Sequence, residues 1–132
     1  MKLKDFDFRI WDNHHIGCSN RDCKCKITKY VYGEVAKIRL SEFKEDCEIE
    51  LWTGLYDKNN QKIYEGDIVS FIKGKAFVRY FLTESKFAFC VEQGGMFFLI
   101  EELRKLNASE YEVVGNIHEN SELLKSKDSK WK

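Results

Sequence analysis

The chain has 132 residues, of which 43% are hydrophobic and 14% aromatic, and it contains no proline. Its 22 Lys and Arg residues are balanced by 22 Asp and Glu residues, so the formal net charge at pH 7 is zero. This composition is that of one ordinary soluble domain with a real core, and it excludes collagen-like chains, disordered chains and a generally basic coat for nucleic acid.

The N-terminal segment alternates apolar and polar residues from position 6 to position 11. Alternation with a period of two predicts a β-strand. Three apolar side chains are expected on one face of this strand: Phe6, Phe8 and Ile10. Residues 12–26 then turn polar and carry two histidines and three cysteines, which indicates a loop.

A β-hairpin is predicted next in the chain. Residues 27–32 and 35–40 both alternate, and they flank Gly33 and Glu34, a two-residue connection typical of such a turn. After a charged stretch, residues 49–53 resume the alternation and predict another strand.

The centre of the sequence is rich in turn-forming residues. Gly54 and Gly66 are expected to supply backbone conformations that are closed to residues with a Cβ atom. Asp57 and Asp67 are expected to accept hydrogen bonds from nearby backbone amides. Four apolar residues of this block are predicted to be core: Leu55, Ile63, Ile68 and Val69.

Short strands separated by turn signals continue towards the C-terminus and favour a small barrel or roll. The predicted strands cover residues 63–71, 75–81, 86–91, 96–99 and 111–117. Residues 100–106 predict a short helix, with acids first and bases last. Asn120 is expected to cap another short helix, which carries Leu123 and Leu124.

Membrane insertion and secretion are not expected from this sequence. Its longest apolar run, residues 96–100, is far shorter than the roughly 18 residues that span a bilayer. The N-terminus is too charged for a signal peptide, so a cytoplasmic location is predicted. Reducing conditions there would keep the five cysteines as thiols.

Three segments of the chain together resemble the YopX family of phage and prophage proteins. They are FDFRIWD at residues 6–12, WTGLYDKN with IYEGDIV at residues 52–69, and EVVGNIHEN with the leucine pair at residues 112–124. The sequence departs from the family pattern in the Cys/His-bearing insert after Asp12, and in Asn60, where a turn glycine is common.

The resemblance implies a mainly β fold, an SH3-like barrel or roll with an N-terminal β extension and one or two short helices. It also implies a protein encoded by a bacteriophage or prophage, without an established biochemical role and without catalytic residues to carry over. The expected organisation is an N-terminal β segment at residues 1–48, the barrel module at residues 49–124 and a flexible tail at residues 125–132.

A zinc site is the alternative to a protein without cofactors. Zinc sites present closely spaced histidine and cysteine ligands. A tetrahedral set can be drawn from the N-terminal loop: His14 or His15, with Cys18, Cys23 and Cys25. The spacing lacks the paired Cys-x2-Cys knuckle, and no catalytic signature surrounds any cysteine. The chain is therefore predicted not to be an enzyme. His118 is expected to be a hydrogen-bonded surface histidine and not a general base.

Nucleic-acid binding is a further alternative. Four basic residues cluster around a predicted hairpin and alternate with aromatic residues: Lys73, Lys75, Arg79 and Lys86. Small barrels bind single strands with such surfaces, although alternating aromatics also serve as core. Edge strands without proline favour protein binding or self-association, including a homo-oligomer. The predicted function is thus a non-catalytic binding or assembly module in a bacterial host cell.

Overall fold

The computed structural model describes residues 1–14, 28–71, 74–82, 84–93, 96–102, 108 and 110–125. The chain divides into two compact units, Met1–Leu51 and Trp52–Lys132. The predicted division after residue 48 and the predicted flexible tail stay predictions.

The fold is mainly β, as predicted from the sequence. All strand pairs are antiparallel. The strands are β1 Phe8–Trp11, β2 Tyr30–Tyr32, β3 Glu48–Tyr56, β4 Lys62–Tyr64, β5 Asp67–Phe71, β6 Gly74–Phe81, β7 Lys86–Gln93, β8 Met96–Glu102 and β9 Glu112–Asn116. Helix α1 spans Gly33–Ile38, and short 3-10 turns lie at Leu3–Asp5, Leu40–Glu42 and Ser121–Lys125.

In the first unit, β1 lies between β2 and the first residues of β3. Phe8 and Ile10 are buried against Ala36 of α1, so the predicted alternation is confirmed for these two positions. Phe6 was predicted to share their face, but it precedes β1 and is exposed. Partly buried side chains complete this core: Val31, Phe43, Cys47 and Leu51.

The predicted hairpin around Gly33 is wrong, because Gly33–Ile38 forms α1. The two buried residues of α1, Gly33 and Ala36, are three positions apart, which places them on one helical face. Both are small, and a Cβ atom at Gly33 would lie only 2.8 Å from the Asp7 carboxylate. Close packing of this small face therefore outweighs the apparent alternation of the sequence.

In the second unit, β4 pairs with the end of β3, and a five-stranded sheet has the order β8-β7-β6-β5-β9. Apolar clusters cover both faces of this sheet. One cluster contains Ile63, Val69 and Val78 around the stacked rings of Phe89 and Tyr111. The other contains Ile68, Phe77 and Cys90, against which Ile117, Leu123 and Leu124 pack.

The two helix predictions near the C-terminus have different outcomes. The helix predicted to begin at Ile100 is wrong there, because β8 continues to Glu102 and pairs with β7. Residues 103–107 lie outside the described residues. The second helix is confirmed as the 3-10 turn Ser121–Lys125. Backbone pairing of Glu101 and Glu102 with Phe89 and Ala88 of β7 thus replaces the helix that the local charge pattern predicted.

Among the described residues, no helix is long and apolar enough to cross a membrane.

Candidate functional site

The central turn is built by the residues predicted to build it. Gly54 and Gly66 have φ of +86° and +87°, and Asn60 adopts a positive φ of 64° without being glycine. The Asp57 carboxylate accepts hydrogen bonds from the amides of Asn59, Gln61 and Val113, at 2.8, 2.9 and 2.9 Å. The Asp67 carboxylate accepts one from the amide of Tyr64 at 2.8 Å. These contacts are structural.

A second polar group lies where β1 ends and β3 begins. The antiparallel register places Trp11 opposite Glu48, so the residues after β1 meet the residues before β3. There the His14 imidazole contacts the Asp46 carboxylate, and the Cys47 sulfur lies 3.6 Å from an Asp12 oxygen. Ligand atoms of His14, Asp46 and Cys47 all lie within 4.8 Å of one another. We call these three residues the sheet-end cluster.

The electrostatics of the sheet-end cluster reflect its two contacts. The hydrogen bond from His14 lowers the pKa of the Asp46 carboxyl. Burial raises the pKa of the Cys47 thiol, and the negative charge of Asp12 raises it further. The cluster thus joins a nitrogen, an oxygen and a sulfur donor, which is a donor set that zinc accepts.

Sequence reasoning found only one member of this cluster. Of the predicted zinc ligands, His14 belongs to it, whereas Cys18, Cys23 and Cys25 lie outside the described residues. Asp46 and Cys47 were missed because they are more than 30 positions from His14. An antiparallel pairing of the two predicted strands, residues 6–11 and 49–53, would have brought these residues close to His14 and indicated the cluster.

A buried ion pair occupies the same sheet. The Arg9 guanidinium lies 2.8 Å from the Glu50 carboxylate, and both side chains are almost fully buried. The Tyr30 hydroxyl donates to the same carboxylate oxygen at 2.8 Å, and the Arg9 guanidinium lies 4.2 Å from the centroid of the Tyr30 ring. Since every charge in this group is matched, we interpret it as structural.

The first unit exposes large apolar side chains around α1. Val35 and Ile38, three residues apart on α1, are exposed, and so are Leu3 and Leu40 in the neighbouring 3-10 turns. The Lys37 ammonium donates to the Leu3 carbonyl at 2.7 Å and holds the first turn beside α1. We call Leu3, Val35, Ile38 and Leu40 the apolar patch. This patch was not predicted from the sequence, because the alternation of residues 35–40 indicated a strand of a hairpin.

Three of the four predicted nucleic-acid residues share one face of the five-stranded sheet. Lys75 and Arg79 are four residues apart on β6, and Lys86 of β7 is opposite Phe81. Lys73 lies outside the described residues. The Lys86 ammonium pairs with Glu84 at 3.2 Å, and Phe77 on this face is buried in the core.

Cys90 and His118 of the second unit carry side chains of types that serve in catalysis, a thiol and an imidazole. Burial raises the pKa of the Cys90 thiol to about 11, with a smaller opposing effect of Arg79. His118 follows β9, and its amide donates to the Asn116 side chain at 3.1 Å. A raised thiol pKa is the opposite of nucleophile activation.

Comparisons with known proteins identify a family and solved structures that resemble this chain. No curated protein matches this sequence. The crystal structure of protein EF1440 from Enterococcus faecalis is similar at 22% identity, over 90% of this chain and 97% of that chain, with a TM-score of 0.43. The family model described as YopX protein matches residues 7–125. This match covers most of the chain and confirms the resemblance noted in the sequence, so the chain belongs to the YopX family.

Proposed function

We propose that this protein is a non-catalytic binding module that associates with a second copy of itself through the apolar patch. The exposure of four large aliphatic side chains in and beside one helix carries this proposal. Their exposed fractions are 74% for Leu3, 53% for Val35, 83% for Ile38 and 51% for Leu40. Grouped apolar exposure of this kind marks interaction surfaces, whereas single exposed residues need no explanation.

The charges around the apolar patch fit a second copy as the occupant. Glu34 and Lys37 approach to 3.6 Å on α1, and Arg39 and Glu42 approach to 3.4 Å just beyond it. Both signs therefore occur within one short segment. In a twofold contact through such a segment, acids of one copy can lie opposite bases of the other. The net charge of zero adds no overall repulsion between copies.

The non-catalytic part of the proposal is supported by the described thiols. The pKa values of Cys47 and Cys90 are both raised, mainly by burial. Nucleophilic cysteines require the opposite shift, because the thiolate is the reactive form.

Light scattering coupled to size-exclusion chromatography tests the association. At protein concentrations of about 100 μM we expect a dimer. The change Ile38→Lys should weaken dimerisation at least about tenfold, since it places a charge at the centre of the buried surface. A wild-type chain that stays monomeric would overturn the proposal.

Leu82→Lys is the matched control. Leu82 is 84% exposed, as much as Ile38, but it belongs to the second unit, whereas all four residues of the apolar patch belong to the first. This variant receives the same added charge and should dimerise like wild type. Equal loss of the dimer in both variants would show that charge, not the apolar patch, governs association.

Nucleic-acid binding is the second candidate, and the shared face of Lys75, Arg79 and Lys86 favours it. Fluorescence anisotropy with single- and double-stranded 20-mers at low salt tests it. If this face binds phosphates, Lys75→Glu combined with Arg79→Glu abolishes binding, and moderate salt weakens it steeply. Lys58→Glu, in an exposed turn of the same unit, is the control and should retain most of the affinity.

The biological setting and the finer fold class belong to the same proposal. Membership of the YopX family supports a phage or prophage origin and action in the bacterial cytoplasm. Antiparallel strands with apolar clusters on both faces of the sheet support an SH3-like second unit. Fractionation of infected host cells tests the location, and an experimental structure tests the fold class.

A further inference from the structure

The sheet-end cluster combines donor chemistry with a geometry that does not depend on the apolar patch. Its imidazole, carboxylate and thiol come from two chain segments, residues 12–14 and residues 46–47. The β1–β3 pairing fixes both segments at one end of the sheet, from Phe8 opposite Leu51 to Trp11 opposite Glu48. The donors are thus held by a register that the hydrophobic core itself determines, since Phe8 and Ile10 are buried.

The separations between the ligand atoms of the sheet-end cluster can be compared with those that one zinc ion requires. Zinc binds sulfur at about 2.3 Å and oxygen at about 2.0 Å, so tetrahedral ligands of these two types lie about 3.5 Å apart. The 3.6 Å contact between the Cys47 sulfur and an Asp12 oxygen is a hydrogen bond, so Asp12 is not counted among the ligands. The ligand atoms of His14, Asp46 and Cys47 lie within 4.8 Å of one another, so side-chain movements of about 1 Å would bring all three to one ion.

We propose that His14, Asp46 and Cys47 together bind one Zn²⁺ ion. A thiolate with an imidazole favours zinc over magnesium or calcium, which take oxygen ligands. On binding, the Cys47 thiol forms a sulfur–zinc bond and releases its proton to solvent. Asp12 adds a third negative charge beside the ion, after the Cys47 thiolate and the Asp46 carboxylate, and water fills the fourth position. Such a site would tie the end of β1 to the start of β3.

The first experiment titrates the reduced, chelator-free protein with Zn²⁺ against a chromophoric chelator. We expect about one ion per chain, with micromolar or tighter affinity. Replacement of Zn²⁺ by Co²⁺ should produce a sulfur-to-cobalt charge-transfer band and the intense visible bands of tetrahedral coordination. A protein that takes up no Zn²⁺ from the chelator overturns the proposal.

Variants then identify the ligands. Cys47→Ser should abolish the sulfur-to-cobalt band, and His14→Ala and Asp46→Asn should each weaken Zn²⁺ binding at least about tenfold. Cys90→Ala is the matched control, because the Cys90 thiol is fully buried in the second unit, and it should bind zinc like wild type. Circular dichroism of each variant confirms that it is folded.

A triple variant separates this site from the zinc set predicted from the sequence. Cys18, Cys23 and Cys25 are changed together to serine, which leaves the sheet-end cluster intact. Retained binding and a retained sulfur-to-cobalt band support His14, Asp46 and Cys47 as the ligands. If the triple variant loses zinc while Cys47→Ser keeps it, the proposed ligand set is wrong.

Discussion

At the scale of single residues, breaking the buried ion pair between Arg9 and Glu50 has a large effect on the free energy of unfolding. Both side chains are almost fully buried, and the Tyr30 hydroxyl shares the Glu50 carboxylate. Removing the Glu50 carboxylate takes a partner at 2.8 Å from the buried Arg9 guanidinium, which costs about 3–5 kcal/mol. We therefore expect Glu50→Ala to lower the free energy of unfolding by that amount in urea titrations.

Two companion variants separate charge from packing at this position. Tyr30→Phe removes only the neutral hydroxyl and should cost about 1 kcal/mol. The double variant Arg9→Met with Glu50→Leu leaves no unpaired charge, so it should be more stable than Glu50→Ala alone. A double variant no more stable than the single one would contradict an unpaired-charge penalty.

The Cys90 thiol couples stability to alkaline pH. Its pKa is raised from 9.0 to about 11 in the folded protein, chiefly by burial. Above pH 9 the unfolded chain releases the thiol proton and the folded chain keeps it, so stability falls as pH rises from about 9 towards 11. Below pH 9 the full contribution is present.

Comparison with Cys90→Ala isolates this effect from other groups that titrate at alkaline pH. The stability advantage of wild type over the variant should shrink between about pH 9 and about pH 11 in urea titrations. A stability difference that stays constant across this range would show that Cys90 does not hold its proton more tightly when folded.

At the scale of elements, the β3–β4 hairpin contains two residues with positive φ, Gly54 within β3 and Asn60 in the turn. Gly54 has φ of +86°, and a Cβ atom there would meet nothing within 4 Å. Gly54→Ala should therefore cost only the backbone strain, about 1–2 kcal/mol. Asn60 already carries a side chain at φ of 64°, so Asn60→Gly should change stability by less than about 1 kcal/mol.

Urea unfolding of both variants tests this contrast. Ala at position 60 is the control: like Gly54→Ala, it introduces a residue unsuited to positive φ, and it should be destabilising by about 1 kcal/mol. Equal stability of Gly54→Ala and wild type would mean that β3 relaxes to a conformation open to other residues.

These turns could be predicted from the sequence because their residues interact with near neighbours in the chain. Helix α1 and the sheet-end cluster could not, because they depend on contacts between distant segments. The roles of Asp57 and Gly66 follow from neighbours within a few positions, and the structure confirms them. Helix α1 was predicted as a strand because its small face is recognisable only once Asp7 and the sheet are beside it. The sheet-end cluster was not predicted from the sequence for the same reason, because its residues come together only through the pairing of β1 with β3.

At the scale of the whole molecule, charge balance determines how association should respond to salt. The 22 basic and 22 acidic residues cancel, so two copies approach without net repulsion for salt to screen. Association through the apolar patch depends on buried area instead, which salt affects little. We expect the dissociation constant of the dimer to change less than about threefold between low and moderate salt.

Sedimentation equilibrium at several salt concentrations measures this constant, and lowered pH provides the contrasting condition. Protonation of carboxylates gives both copies a net positive charge, so the dimer should weaken as pH falls towards about 4. Added salt should then restore part of the affinity, because screening acts on a repulsion that is absent at neutral pH. A dissociation constant that rises tenfold or more with salt at neutral pH would contradict the apolar patch as the contact. Ion pairs between charged residues of the two copies, such as Glu34 and Arg39, would then hold the dimer together.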